Sequence, residues 1–346
     1  MKCCCKLGIL LLIASEVSGQ GGFSIQAGFQ HGNAVTSHQN SDPAQQYGFT
    51  LDLNRQTSGE KYWQADHKYP QIGLQLAGRF FPGNRILKNN FTLIPYLEFN
   101  VWKSDLGTLQ VKHGTGLAYV SGDLLNSDQP LLGTRLNAAT MLDLGYQFKS
   151  KTALEIKVGA LVSHLSNGNT VQPNAGLNSA LAYINLAYFP GNKLDVRRPL
   201  AVITDFKRWR FRIGSAVGFH DYTREHYLLH KNWQVSLLAF RQHTTRFRTG
   251  LGLETGRLGS GSKVQPAVYL EEEVLIGHLV TRYGLGAYLT QPLPNEGRIY
   301  EKVGIAWYPG KLENQIAQGF SVGTNIKAHG FRAAHVEVTA GFLIGN

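Results

Sequence analysis

The sequence predicts an all-β fold, an antiparallel transmembrane outer-membrane β-barrel of about 12–16 strands. Three observations lead there. Segments alternating apolar and polar residues, the period of a strand with two unlike faces, recur along the whole chain. The composition is rich in glycine (39), tyrosine (15) and phenylalanine (17) with only 12 prolines, which argues against disorder. After the first twenty residues no stretch approaches the roughly eighteen consecutive apolar residues of a membrane helix.

Residues 1–20 have the form of a secretory signal peptide. Lys2 and Lys6 form a basic start, 8–14 (GILLLIA) a short apolar core, and Val17-Ser18-Gly19 a small-residue cleavage site. Cys3, Cys4 and Cys5 all precede that core, so the mature chain would lack cysteine, and disulfide and thiolate chemistry are excluded. The formal charge is +11; the leader takes away two lysines and one glutamate, leaving +10. No basic helix or nucleic-acid module accompanies that charge, so no nucleic-acid partner is expected. A basic barrel against phosphorylated glycolipid accounts for it.

Strand candidates follow in order at 22–31, 47–57, 71–81, 91–102, 108–121, 136–148, 153–166 and 177–189. The second half adds 209–222, 233–243, 246–256, 265–276, 280–291, 299–308, 320–329 and 334–344. Phe91, Leu93, Pro95, Leu97, Phe99 and Val101 against Thr92, Ile94, Tyr96, Glu98 and Asn100 is the clearest two-faced segment. Residues 21–190 form one barrel region, and 191–346 are expected to add strands to the same barrel, the alternative being a second small barrel. Links 102–106, 149–152 and 243–246 are short, whereas 32–46, 122–135 and 167–176 are longer. Barrels turn tightly at the periplasmic rim and loop outward at the other, which puts the end of the 153–166 strand outside. The links 57–70 and 190–208 break this rule. Phe80-Phe81-Pro82-Gly83, Tyr188-Phe189-Pro190-Gly191 and Trp307-Tyr308-Pro309-Gly310 each mark a strand end, as interfacial aromatics before a turn would.

The chemistry concentrates at Ser163-His164-Leu165-Ser166-Asn167-Gly168 and its continuation to Asn178. On a strand, His164 and Ser166 share a face with Cα atoms roughly 6.6 Å apart. A hydroxyl within reach of an imidazole is the minimum for an activated serine. Leu154, Ile156, Val158, Ala160 and Val162 share their parity. In a soluble enzyme that face would be core; in a barrel it would face lipid. Asn178 opens the next strand on the matching parity, within range to bond the imidazole. Asn167 and Asn174 offer side-chain amides, and Gly168 and Gly176 backbone N–H groups, to an oxyanion. The same residues are good turn formers.

His164-x-Ser166-Asn167-Gly168, with Pro173-Asn174-x-Gly176 and position 178 in step, resembles the lipid A 3-O-deacylase (PagL-like) family of outer-membrane acyl hydrolases. Arg55-Gln56-Thr57, 95–99 (PYLEF), 114–119 (GTGLAY) and Leu136-Asn137-Ala138 are similar to its long Bacteroidetes-type acyloxyacyl hydrolase members, so the resemblance spans about 22–190. It implies that lipopolysaccharide in the outer leaflet is the substrate and an ester-linked acyl chain the group removed. Under it His164 is the general base, Ser166 the nucleophile, and Asn167 and Asn174 the oxyanion donors. The family pattern has glutamate where this chain has Asn178. An amide can orient an imidazole but cannot neutralise imidazolium; in serine proteases the comparable change costs ~10⁴ in rate. Arg135 and Lys112 are candidates for pairing with lipid A phosphates.

Rival readings are a non-catalytic barrel, porin or structural, and a general phospholipid esterase on the same scaffold. No cofactor or metal is called for; His220, His226 and His230 lack carboxylates at ligand spacing. Gly114-x-Gly116, Gly250-x-Gly252 and Gly284-x-Gly286 sit in no strand–loop–helix unit and are not nucleotide loops. Glu271-Glu272-Glu273 alternates across a strand, so its outer member needs a partner. A homodimer is left open.

Overall fold

The computed structural model describes residues 22–36, 43–84, 86–122, 132–191, 209–220, 230–257, 264–290, 297–310, 317–330 and 332–345. The leader, most of the links 122–135 and 190–208, and His226 lie outside them.

Eight strands follow in the first part of the chain: β1 (Phe23–Thr36), β2 (Ala44–Gln56), β3 (Gln71–Phe80), β4 (Leu87–Lys103), β5 (Gly107–Gly122), β6 (Leu136–Phe148), β7 (Leu154–Ser166) and β8 (Leu177–Tyr188). Each pairs antiparallel with the next, and β8 returns to β1, Val35 opposite Asn178 and Ile25 opposite Tyr188. A second set does the same: β9 (Trp209–His220), β10 (His230–Gln242), β11 (Phe247–Arg257), β12 (Val264–Ile276), β13 (Leu279–Tyr288), β14 (Ile299–Trp307), β15 (Gly319–His329) and β16 (Arg332–Ile344). Here β16 returns to β9, Phe342 opposite Ile213.

The expectation that residues 191–346 extend the first barrel is therefore corrected. A strand has two edges. Those of β8 are taken by β7 and β1, which leaves none for β9. Strand β1 also runs further than its sequence suggests. Gly32 and Asn33 fall in the expected 32–46 link, yet Asn33 pairs with Gln45 on one side and Ala180 on the other.

Both barrels are polar inside and apolar outside, as membrane barrels are. In the first, Ile72, Leu74 and Leu76 are exposed while Gln71, Gln75 and Arg79 are buried. The inward groups meet one another: Lys112 Nζ lies 2.9 Å from Asp52 Oδ1, Lys157 pairs with Glu98, and the Tyr183 hydroxyl donates to Asp143 at 2.8 Å. In the second, Arg212 reaches Glu271 and Glu273, each at 2.6 Å, and Lys302 reaches Glu254 at 2.8 Å. A cavity of about 30 Å³ remains beside Arg212, Glu254, Tyr269 and Lys302. That is water-sized. Glu272, facing outward between buried Glu271 and Glu273, has its partner: the Thr249 hydroxyl donates to it, and His243 Nε2 lies 2.9 Å from that hydroxyl.

At one rim of the first barrel β4–β5 and β6–β7 turn within 104–106 and 149–153, and the 57–70 link carries the short helix α1 (Tyr62–Asp66). The β7–β8 loop, residues 167–176, belongs to the opposite rim.

Candidate active site

Strand β7 turns Leu154, Ile156, Val158, Ala160, Val162 and His164 outward and buries Glu155, Lys157, Leu161, Ser163 and Leu165. Strand β8 turns Asn178, Ala180, Ala182 and Ile184 to the same side. His164 and Asn178 are direct register partners, and His164 Nδ1 lies 2.7 Å from Asn178 Oδ1. An amide oxygen only accepts, so Nδ1 is the donor in this contact. This is the tautomer a base needs in order to take a proton from serine. Ser166 closes β7 on the same parity, opposite Ala138 of β6, and is 5% exposed.

Glycine shapes the approach to the ring. Gly176 has φ +68°. A Cβ there would stand 2.8 Å from His164 Cε1, so the backbone passes over the imidazole where no side chain fits. Gly168 likewise has φ +65°.

Asn167 is the hub of its own loop. Its N–H donates to Asn174 Oδ1 at 3.1 Å and its amide nitrogen to the Val171 carbonyl at 2.7 Å. Its side-chain oxygen accepts the Asn169 N–H at 2.9 Å, and its carbonyl the Thr170 hydroxyl at 2.9 Å. Both Asn167 and Asn174 thus have a structural duty alongside any chemical one, as Asx-type turns provide.

The phosphate candidates separate. Arg135 is exposed immediately before β6. Lys112 is 1% exposed, faces the barrel interior and is held by Asp52. Its assignment to a lipid phosphate is corrected: a buried ammonium satisfied by a carboxylate cannot reach a ligand outside the wall without stranding that carboxylate. Sequence reasoning passed over Thr140, which pairs with His164 in the β6–β7 ladder. Counting back from the 149–153 turn would have placed it there.

Residues 38–187 match the family model described as lipid A 3-O-deacylase (PagL). Among solved structures, Neisserial surface protein A is similar at 10% identity over 49% of this chain and 97% of its own, with TM-score 0.37. The outer membrane enzyme PagL is similar at 20% identity over 46% of this chain and 97% of its own, with TM-score 0.33. A triple mutant of the Rhodopseudomonas blastica porin is similar at 8% identity over 93% of this chain and 100% of its own, with TM-score 0.19. No curated relative matches. The matched segment takes in seven strands of the first barrel whole or nearly so, the last residues short of Tyr188, together with the His164–Asn178 hairpin. Over residues 38–187 this barrel is similar to the lipid A 3-O-deacylase (PagL) family.

Proposed function

We propose that the first barrel is a serine esterase of the outer membrane that removes an ester-linked acyl chain from lipid A. The observation that carries this reading is the 2.7 Å contact between His164 Nδ1 and Asn178 Oδ1, which leaves Nε2 available as base on the face that carries Ser166. Nε2 takes the Ser166 proton as Oγ attacks the ester carbonyl. The Gly168 N–H and the side-chain amides of Asn167 and Asn174 are the donors to the oxyanion. The imidazolium returns the proton to the departing sugar hydroxyl, and water then releases the fatty acid by the same route. Substrate arrives sideways within the membrane, so the packed interior is no obstacle. Arg135, at the rim, is the group to meet a lipid A phosphate. The leader is removed on export.

The test is mass spectrometry of lipopolysaccharide incubated with purified protein. Wild type should release one acyl chain, and Ser166→Ala should leave the lipid intact. Unchanged lipid with both proteins would support the non-catalytic reading instead. Phospholipid offered alongside separates a lipid A enzyme from a general esterase.

A further inference from the structure

The lipid-facing wall of the second barrel has a polar break near one end. Across the five strands β9–β13 the register partners Trp209, Arg241, Thr249, Glu272 and Tyr283 form one outward row. The next row toward the middle of the wall is Phe211, Ala239, Leu251, Leu270 and Leu285, without a polar side chain. Arg241 is exposed, and Thr249 and Glu272 are half-buried.

Aromatic rings set the depth of that row. Trp209 and Tyr283 end it, and Phe247 and Trp307 stand nearer the turns at 243–246 and 277–278; all four are exposed. Exposed aromatics gathered at one end of a barrel wall mark the interface, where acyl chains give way to headgroups. The row therefore lies at the level of lipid phosphate and ammonium groups.

The two charges do not satisfy each other. Glu272 accepts the Thr249 hydroxyl, and His243 Nε2 lies 2.9 Å from that hydroxyl. With the Thr249 proton given to Glu272, the imidazole N–H is the donor to Thr249. Among the described residues no ion pair joins Glu272 to Arg241, although only β11 stands between their strands.

A carboxylate and a guanidinium side by side at headgroup depth complement a zwitterion. Their strands are two spacings apart, about 9.6 Å. Both side chains are long, so a head with its phosphate and ammonium two carbons apart fits between them. An anionic head would bring like charge to Glu272. A quaternary ammonium has no N–H for a carboxylate, whereas a primary ammonium has three. We propose that this row binds the head of an ethanolamine phospholipid, Arg241 taking the phosphate and Glu272 the ammonium, with Thr249 and His243 holding the carboxylate in place. The site belongs to the second barrel and is independent of the esterase reading.

The test reconstitutes the whole protein into vesicles of equal parts phosphatidylethanolamine, phosphatidylcholine and phosphatidylglycerol. The protein is then extracted in mild detergent and the co-purifying lipids are counted by mass spectrometry. Wild type should retain phosphatidylethanolamine about fivefold or more over each of the others, the worth of one charge-assisted hydrogen bond. Glu272→Gln should remove most of the preference over phosphatidylcholine, and Arg241→Gln should lower retention of all three lipids. Both variants should keep heat-modifiable migration. On wild type alone, heads carrying one or two N-methyl groups should be retained progressively less as N–H donors are lost. No enrichment in wild type, or enrichment of phosphatidylglycerol instead, would overturn the site. So would a preference unchanged by Glu272→Gln or a retention unchanged by Arg241→Gln. If a variant fails to fold, the methylation series decides: equal retention across it overturns the site.

Discussion

Position 178 decides how fast the proposed chemistry can run. Asparagine there presents an oxygen to Nδ1, so the tautomer is correct and the penalty is only the missing charge beside the imidazolium. In serine proteases the amide replacement is severe largely because the tautomer is wrong. Asn178→Glu restores the charge on the same face and should raise kcat about tenfold to a hundredfold, read by fatty-acid release from lipopolysaccharide. A fall in rate would show that the longer carboxylate displaces the ring. Lys112 supplies the contrasting case. Its ion pair with Asp52 lies inside the barrel. Lys112→Met should lower stability by about 3–5 kcal/mol through the stranded carboxylate, measured by urea unfolding in micelles. Lipid affinity should stay as it was; a selective loss of affinity for phosphorylated lipid would restore the phosphate role. The outward parity of His164 was legible in the sequence because five apolar residues precede it in step. The inward parity of Lys112 was equally legible, since it alternates with Val111 and His113, but a lone lysine invites a ligand when its partner Asp52 is sixty residues away.

At the scale of the hairpin, β7 and β8 position His164 and Asn178, while the intervening loop brings Gly176 against the ring. Gly176→Ala would put a methyl group into the imidazole and force an alanine into left-handed backbone, a strain on the order of 1–3 kcal/mol. The barrel would survive and the ring would move. Heat-modifiable migration on gels should be retained while kcat falls at least tenfold, with KM changed less. An unaltered kcat would mean that the loop yields instead. Strand existence was legible here because period-two alternation is strong where one face meets lipid and the other a packed polar interior. Strand ends were less so. The β1 extension through Gly32 and Asn33 depends on partners contributed by β2 and β8, which local propensity does not contain. The Arg241–Thr249–Glu272 row escaped notice for the same reason: Glu272 alone called for a partner, and the row exists only across the ladder.

For the whole chain, the sequence supports sixteen strands but is silent on how many closures they make. Closure is a non-local pairing choice. Eight-plus-eight and one sixteen-stranded ring share every hairpin and differ only at β1–β8 and β9–β16. The interiors show why two small rings hold together. Lys112, Asp52, Lys157, Glu98 and Asp143 fill one bore; Arg212, Glu271, Glu273, Arg248 and Arg282 fill the other. Such groups match charge across a narrow barrel, whereas a sixteen-stranded ring would leave them lining water. Each ring therefore closes its own strand ladder and has its own paired interior. A specific protease site inserted between residues 191 and 209 tests this. After cleavage in micelles, each fragment should keep heat-modifiable migration, and the fragment containing Ser166 should keep the proposed acyl-hydrolase activity. If neither fragment stays folded, or activity is lost on cutting, the two ladders depend on one another and the independence argued from strand edges is wrong.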